Sequence, residues 1–209
     1  MPTYTPIASQ TLTSTTTSVV FGGIPQIYQD LVLVCNITAD NTADPSIQLN
    51  GDTATNYSNT VLSGDGSSAT SSRQSSVAYI RLDNAAYLTS TTRNTHIIHL
   101  NNYSNSTTYK TILSKNNNAS NGVDAIASLW RSTSAITSIN VYSRGASPAN
   151  FTAGSTFDLY GMSPVAAQNA SAAGGTDIFY DSTYVYHVFK GSGTFTPARA
   201  LTADVLVVA

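Results

Sequence analysis

Short stretches that alternate apolar and polar residues recur along the chain, with chain breakers between them. The alternation is plainest in Ile136-Thr137-Ser138-Ile139-Asn140-Val141-Tyr142 and in Phe157-Asp158-Leu159-Tyr160. A period of two sends successive side chains to opposite faces, which is what a half-buried strand requires. The same reading predicts strands over residues 11–21, 30–38, 46–49, 77–82, 96–101, 109–114, 125–130, 136–143 and 155–161. Leu31-Val32-Leu33-Val34 is apolar without alternation, the mark of a strand covered on both faces. Gly22-Gly23-Ile24-Pro25, Asn50-Gly51-Asp52, Gly64-Asp65-Gly66, Asn116-Asn117-Asn118 and Ser147-Pro148 fall in the gaps as turn signals. Residues 63–76, rich in Gly, Ser and Thr, read as one long loop.

The pattern changes at residue 163. Residues 163–176 hold only one large apolar side chain, Val165, and close on Gly174-Gly175, so they read as a linker. Residues 177–209 then gather Phe179, Tyr180, Tyr184, Tyr186, Phe189 and Phe195. Strands are expected over 184–189, from Thr194, and over 204–209, with Lys190-Gly191-Ser192-Gly193 as a turn. A piece this small cannot bury such a cluster alone and needs a surface to rest on. The expected organisation is a β-sandwich domain over 1–162, the linker, and a small aromatic-rich β extension over 177–209. The expected fold class is all-β, an antiparallel jelly-roll-like β-sandwich.

Composition narrows the function. The chain of 209 residues contains 28 Ser, 29 Thr and 17 Asn, and its 11 acidic residues are all Asp. Glu, Lys and Met, which favour helix, are nearly missing, while Thr, Val, Ile and Tyr are abundant. Nine Lys and Arg against 11 Asp leave no basic surface for nucleic acid. No apolar run is long enough to span a bilayer as a helix, and residues 1–17 lack the plan of a secretory signal. The single Cys35, in an apolar run, reads as a buried strand thiol. Synthesis in a reducing cytoplasm is therefore expected.

Catalytic and metal patterns are sparse. The sequence carries no phosphate loop, dinucleotide fingerprint, GxSxG or Cys–His metal spacing. His96 and His99, three apart on a predicted strand, point to opposite faces. His187 among Tyr and Phe reads as a packed, hydrogen-bonded side chain. Asp52 and Asp65 form the nearest thing to a carboxylate pair, but each sits beside Gly in a turn, where Asp bonds its own backbone. No catalytic residue and no cofactor is expected; calcium, held by loop Asp and Asn oxygens, stays open. The seven Asn-x-Ser/Thr sequons are little more than this composition yields by chance. Tyr57 and Tyr103, in predicted loops, are candidates for exposed contact with a glycan or a protein partner. Trp130 reads either as a sugar-stacking ring or as core.

Several ordered segments carry a resemblance. They are Ile7-Ala8-Ser9-Gln10-Thr11-Leu12, the run from Phe21-Gly22-Gly23-Ile24-Pro25 through Gln26-Ile27-Tyr28-Gln29-Asp30-Leu31-Val32-Leu33, Asn56-Tyr57-Ser58, Trp130-Arg131-Ser132-Thr133-Ser134-Ala135-Ile136-Thr137-Ser138-Ile139, Asn150-Phe151, and Gly154-Ser155-Thr156-Phe157-Asp158-Leu159-Tyr160-Gly161. Over residues 5–162 the chain resembles bacteriophage virion proteins, especially those of marine and cyanobacterial phages. Tyr186-His187-Val188-Phe189, Gly193-Thr194-Phe195-Thr196 and Leu206-Val207-Val208-Ala209 are similar to the opening of a glycine-rich domain of phage tail-fibre proteins. The resemblance implies a structural or adhesive β-sandwich of the virion, a homotrimer, with other tail or capsid proteins as partners and no catalytic residues. A tail fibre or appendage in host attachment is the leading expectation. A capsid decoration or head-fibre protein is the alternative, and a stand-alone glycan-binding module the third. A host surface glycan is the expected external ligand, and nucleic acid and membrane insertion are not expected. A glycine-rich continuation past Ala209 is what the fibre reading anticipates.

Overall fold

The computed structural model describes residues 4–144, 149–162, 172–180, 184–197 and 203–207. Among these no helix occurs; regular structure is all antiparallel strand. The chain divides into two compact units, Met1–Pro164 and Val165–Ala209.

The first unit contains β1 (Tyr4–Thr11), β2 (Ser18–Phe21), β3 (Asp30–Ile37), β4 (Asp44–Leu49), β5 (Tyr57–Gly64), β6 (Ala69–Val77), β7 (Ile80–Arg81), β8 (Asn94–Asn101), β9 (Lys110–Asn118), β10 (Gly122–Trp130), β11 (Ile139–Arg144) and β12 (Thr156–Met162). Eight of them form one sheet in the order β1-β12-β3-β8-β9-β10-β5-β6, and four form a second, β2-β11-β4-β7. One core joins the two inner faces: Leu33, Ile98, Phe157 and Leu159 from the large sheet, and Ile47, Leu49, Ile139 and Val141 from the small one. The antiparallel sandwich expected from the sequence is the architecture found.

The period-two reading holds where the inner face is apolar. In β8, Asn94, His96, Ile98 and Leu100 are buried and the residues between them only partly so. Cys35 is buried in β3, and burial pushes its thiol pKa far up. His96 and His99 lie on opposite faces as expected.

Two stretches differ. Residues 63–76 are not a long loop; most of them form β6, paired along β5 through Ser63↔Thr70, Leu62↔Ser71 and Thr60↔Arg73. β6 is the free edge of the large sheet and is exposed along nearly its whole length. It needs no apolar side chains, so it shows no alternation. Asn116-Asn117-Asn118 is not a breaker either but the end of β9, with Asn116 and Asn118 buried. The expected strand over 77–82 shrinks to β7, and the one over 11–21 separates into the end of β1 and β2.

The asparagines are inside because the inner face of the large sheet turns polar at this end. The connection from β7 to β8 lies across it and is held by side chains. Asp124 accepts hydrogen bonds from the backbone N–H groups of Asn84 (2.7 Å), Ala85 (3.1 Å) and Ala86 (2.8 Å), and from the Ser63 hydroxyl (2.6 Å). Asn94 Nδ2 donates to the carbonyls of Ala86 and Tyr87, Asn118 Nδ2 to that of Tyr87, and Asn121 Nδ2 to that of Ala85. Side chains thus supply the partners that a buried irregular backbone otherwise lacks.

His96 belongs to this polar layer, with Nδ1 3.0 Å from Asn116 Oδ1. Burial pushes its pKa down to about 4, ahead of the upward pulls from Asn116 and Asp124. The native state keeps this ring neutral while the unfolded chain binds a proton below about 6.5. Its contribution to stability is complete above pH 6.5 and declines as pH falls towards 4, by up to roughly 3 kcal/mol. Buried Asp83 acts in the opposite sense: burial and the nearby Asp44 carboxylate push it up to about 7 against Arg81 and Arg144. It therefore favours folding at low pH and loses that contribution as pH rises towards 7. The His96 effect is isolated by comparing urea midpoints of the parent and His96→Gln between pH 4 and 7. The parent-minus-variant difference should rise with pH; a flat difference contradicts a neutral buried ring.

The second unit contains β13 (Ala172–Ala173), paired with β16 (Thr196–Pro197), and β14 (Asp177–Tyr180), paired with β15 (Val185–Val188). The expected linker needs correction at its end: Ala172 and Ala173 are strand, and the Thr176 N–H donates to the Val188 carbonyl, so these residues belong to the unit. Residues 163–171 of it lie outside the described residues. His187 is packed and bonded as expected, with Nδ1 2.5 Å from the Gly174 carbonyl and the Phe195 ring edge-on at 5.2 Å. The strand expected over 204–209 is not formed in its described part, where Val205, Leu206 and Val207 are each more than 80% exposed.

A candidate binding groove on the outer face of the large sheet

The rings expected at the surface are inside. Tyr57 and Tyr103 are fully buried and Trp130 is 2% exposed. Tyr57 opens β5 and Trp130 closes β10, opposite each other in register, and their rings stack at 6.2 Å with 14° between planes. The Tyr57 hydroxyl accepts from the Leu49 N–H (3.1 Å) and donates to the Asp52 carbonyl (3.1 Å). Trp130 Nε1 donates to Asp52 Oδ2 at 2.7 Å. Tyr103 donates its hydroxyl to the Pro25 carbonyl. Each large ring is inward with its polar tip satisfied, so none offers a face to a glycan. This corrects the exposed-contact expectation for Tyr57 and Tyr103 and resolves Trp130 as core.

The two turn aspartates do the work of turns. Asp52 accepts from the Ala54 N–H and Asn56 Nδ2 besides the indole. Asp65 accepts from the N–H and hydroxyl groups of Ser67 and Ser68 and closes the β5–β6 hairpin. These bonds hold the Asp65 carboxyl well below the usual range. A general acid of a glycosidase needs the opposite shift.

A concave feature lies on the other face of the large sheet. Five adjacent strands, β8, β9, β10, β5 and β6, present two registered rows there. One row runs Ile97, Lys115, Ala125, Leu62, Ser71. The next runs Thr95, Asn117, Val123, Gly64, Ala69, with the Thr95 N–H donating to Asn117 Oδ1 at 2.8 Å. All ten residues line one open groove of about 770 Å³. With strands about 4.8 Å apart, the groove runs across the width of these five strands, roughly 19 Å from β8 to β6.

The floor is apolar: Leu62 is 59% and Val123 58% exposed, and Leu113 beside them 51%. Lys115 is the one cation of the lining and has no acidic partner among the described residues. Asp124, the one acid lining the groove, is committed to the inner face through the four bonds given above. Asn117 uses its Oδ1 on Thr95, which leaves Nδ2 as a second donor two residues along β9 from Lys115. The arrangement suits a ligand with an apolar face and a group that accepts hydrogen bonds or carries negative charge.

The sequence carries a signal for this groove. In Gly122-Val123-Asp124-Ala125-Ile126-Ala127-Ser128-Leu129-Trp130 the outward phase, Val123, Ala125, Ala127 and Leu129, is wholly apolar, while the core-facing phase carries Asp124 and Ser128 beside Ile126 and Trp130. Comparison with protein-family models, curated proteins and solved structures finds no match to the chain.

Proposed function

We propose that the chain is a structural protein of a bacteriophage particle, a tail fibre or appendage that takes part in host attachment. The observation that carries the reading is the strand order. β1-β12-β3-β8 in one layer and β2-β11-β4-β7 in the other reproduce the alternation of a jelly roll, a fold common among viral capsid and lectin domains. The hairpins β5–β6 and β9–β10 extend one layer, and the groove lies largely on this extension. The segments that carry the phage resemblance supply interior residues, among them Leu31, Leu33, Tyr57, Trp130, Ile136, Phe151 and Phe157. A surface of Ser, Thr and Asn with few charges suits a protein displayed in many copies outside the cell.

The test is antibody labelling of the particles made by the phage that encodes the chain. Label on the tail is the expected result. Label on the capsid favours the decoration reading, and particles without label overturn both. The homotrimer belongs to the same proposal, because Phe179, Phe189, Phe195 and Val205 to Val207 of the second unit are exposed and need a cover. Light scattering of the 209-residue chain should give about three times its 21.9 kDa mass. A mass of one chain at micromolar concentration sinks the trimer.

A further inference from the structure

We propose that the outer-face groove is a binding site for an acidic saccharide, with Lys115 and Asn117 receiving the sugar carboxylate. The proposal deepens the host-attachment reading and rests on it for its biological setting alone. Its ground is the chemistry of the lining. Ile97, Ala125, Leu62 and Val123 make a floor of small and branched apolar groups wide enough for the C–H face of a sugar ring. A carboxylate seated over β9 meets the Lys115 ammonium and the Asn117 amide together, and charge-assisted bonds of this kind are the strong ones. Ser71 on one wall brings a hydroxyl to the groove, and the Thr95 hydroxyl on the other, which donates to Asn36 Oδ1, keeps its oxygen as an acceptor for a sugar hydroxyl.

The alternatives fit less well. An aliphatic carboxylate would match the ammonium and the floor but needs an enclosed channel for its chain, and this groove is open along its length. A second copy of the protein would have to bury Lys115 against a face that supplies no acid from its own groove. The acidic saccharide uses the floor, both donors and the hydroxyl walls at once.

The test uses the full chain titrated by calorimetry and observed by saturation-transfer NMR. The probes are a galacturonic acid trimer, the neutral galactose trimer and decanoate. The acidic trimer should bind at least about 10-fold tighter than the neutral one, and more weakly as salt is raised. Lys115→Gln changes one exposed side chain and should cost about 10-fold in affinity for the acidic trimer while leaving the urea midpoint in place. Ala125→Asp should abolish binding by placing a carboxylate on the floor. Equal affinity for the two trimers, no acidic-trimer binding at millimolar concentration, tighter binding of decanoate, or unchanged binding by Lys115→Gln overturns the proposal. So does self-association that Ala125→Asp abolishes. Saccharide binding without particle labelling keeps this site and removes the phage reading; labelled particles without saccharide binding do the reverse.

Discussion

Asp124→Ala is expected to destabilise the first unit by roughly 3–5 kcal/mol. The carboxylate accepts from three consecutive backbone N–H groups and the Ser63 hydroxyl, and its residue is 3% exposed. Each buried donor left without a partner costs about 1–3 kcal/mol, and water can reach only some of them. The loss would reach past Asp124 itself. Freed from the sheet, the β7–β8 connection would uncover Leu82, Ala86 and Leu88, all fully buried, and open a path to His96. Asp124→Asn should give little rescue, because its amide brings donors towards donors. Ser63→Ala, which removes the hydroxyl's bond to Asp124 and the one it accepts from Asn84 Nδ2 but leaves the carboxylate, should cost about 1–2 kcal/mol. Urea unfolding measures the change, and hydrogen exchange at the amides of residues 84–86 locates it. A cost for Asp124→Ala under about 1 kcal/mol, with those amides still protected, would show that the connection is held by other contacts.

Trp130→Ala should cost roughly 3–5 kcal/mol, within the range for removing a large ring from a core. The indole stacks on Tyr57, and its N–H reaches Asp52, which also orders the turn between β4 and β5. Truncation therefore leaves a cavity, an unpaired tyrosine face and a loosened turn together. Tyr57→Ala is expected to cost about as much. Tyr57→Phe, which keeps the ring and loses the hydroxyl bonds to Leu49 and Asp52, should cost about 1–2 kcal/mol. These variants separate two views of the same residues. As exposed sugar platforms, either ring could become alanine without loss of fold and with loss of binding; as core, the stability falls first. Denaturation midpoints of Trp130→Ala and Tyr57→Ala decide, and an unchanged midpoint would reinstate the surface reading.

Where the sequence misled, the cause in each case was a side chain whose surroundings are not local. Tyr57 stands in Asn56-Tyr57-Ser58, a polar stretch after a turn, and looks exposed. It is buried because β10 brings Trp130 opposite it from 73 positions along the chain. Asn116 and Asn118 look like breakers, yet the Tyr87 carbonyl of the connection partners Asn118, and His96 and Ser114 on the sheet itself partner Asn116, which makes a polar interior possible. β6 is invisible because alternation records burial, and a free edge exposed on both faces has none to record. The groove needed both kinds of information: β10 announces an apolar outward phase, but the alignment of five strands that completes the lining is a property of the sheet.

By itself, the sequence determined the all-β class, the two-part organisation, the buried thiol of Cys35, the opposed faces of His96 and His99, and the turn chemistry of Asp52 and Asp65. All follow from side-chain period, backbone preference and composition, which act over a few residues. The tertiary structure alone decided which polar residues lie inside, which rings are core, and where the exposed apolar floor and Lys115 come together. Those depend on long-range register, in which strands distant in the chain become neighbours and a single hydrogen-bonded alignment sets what each side chain touches.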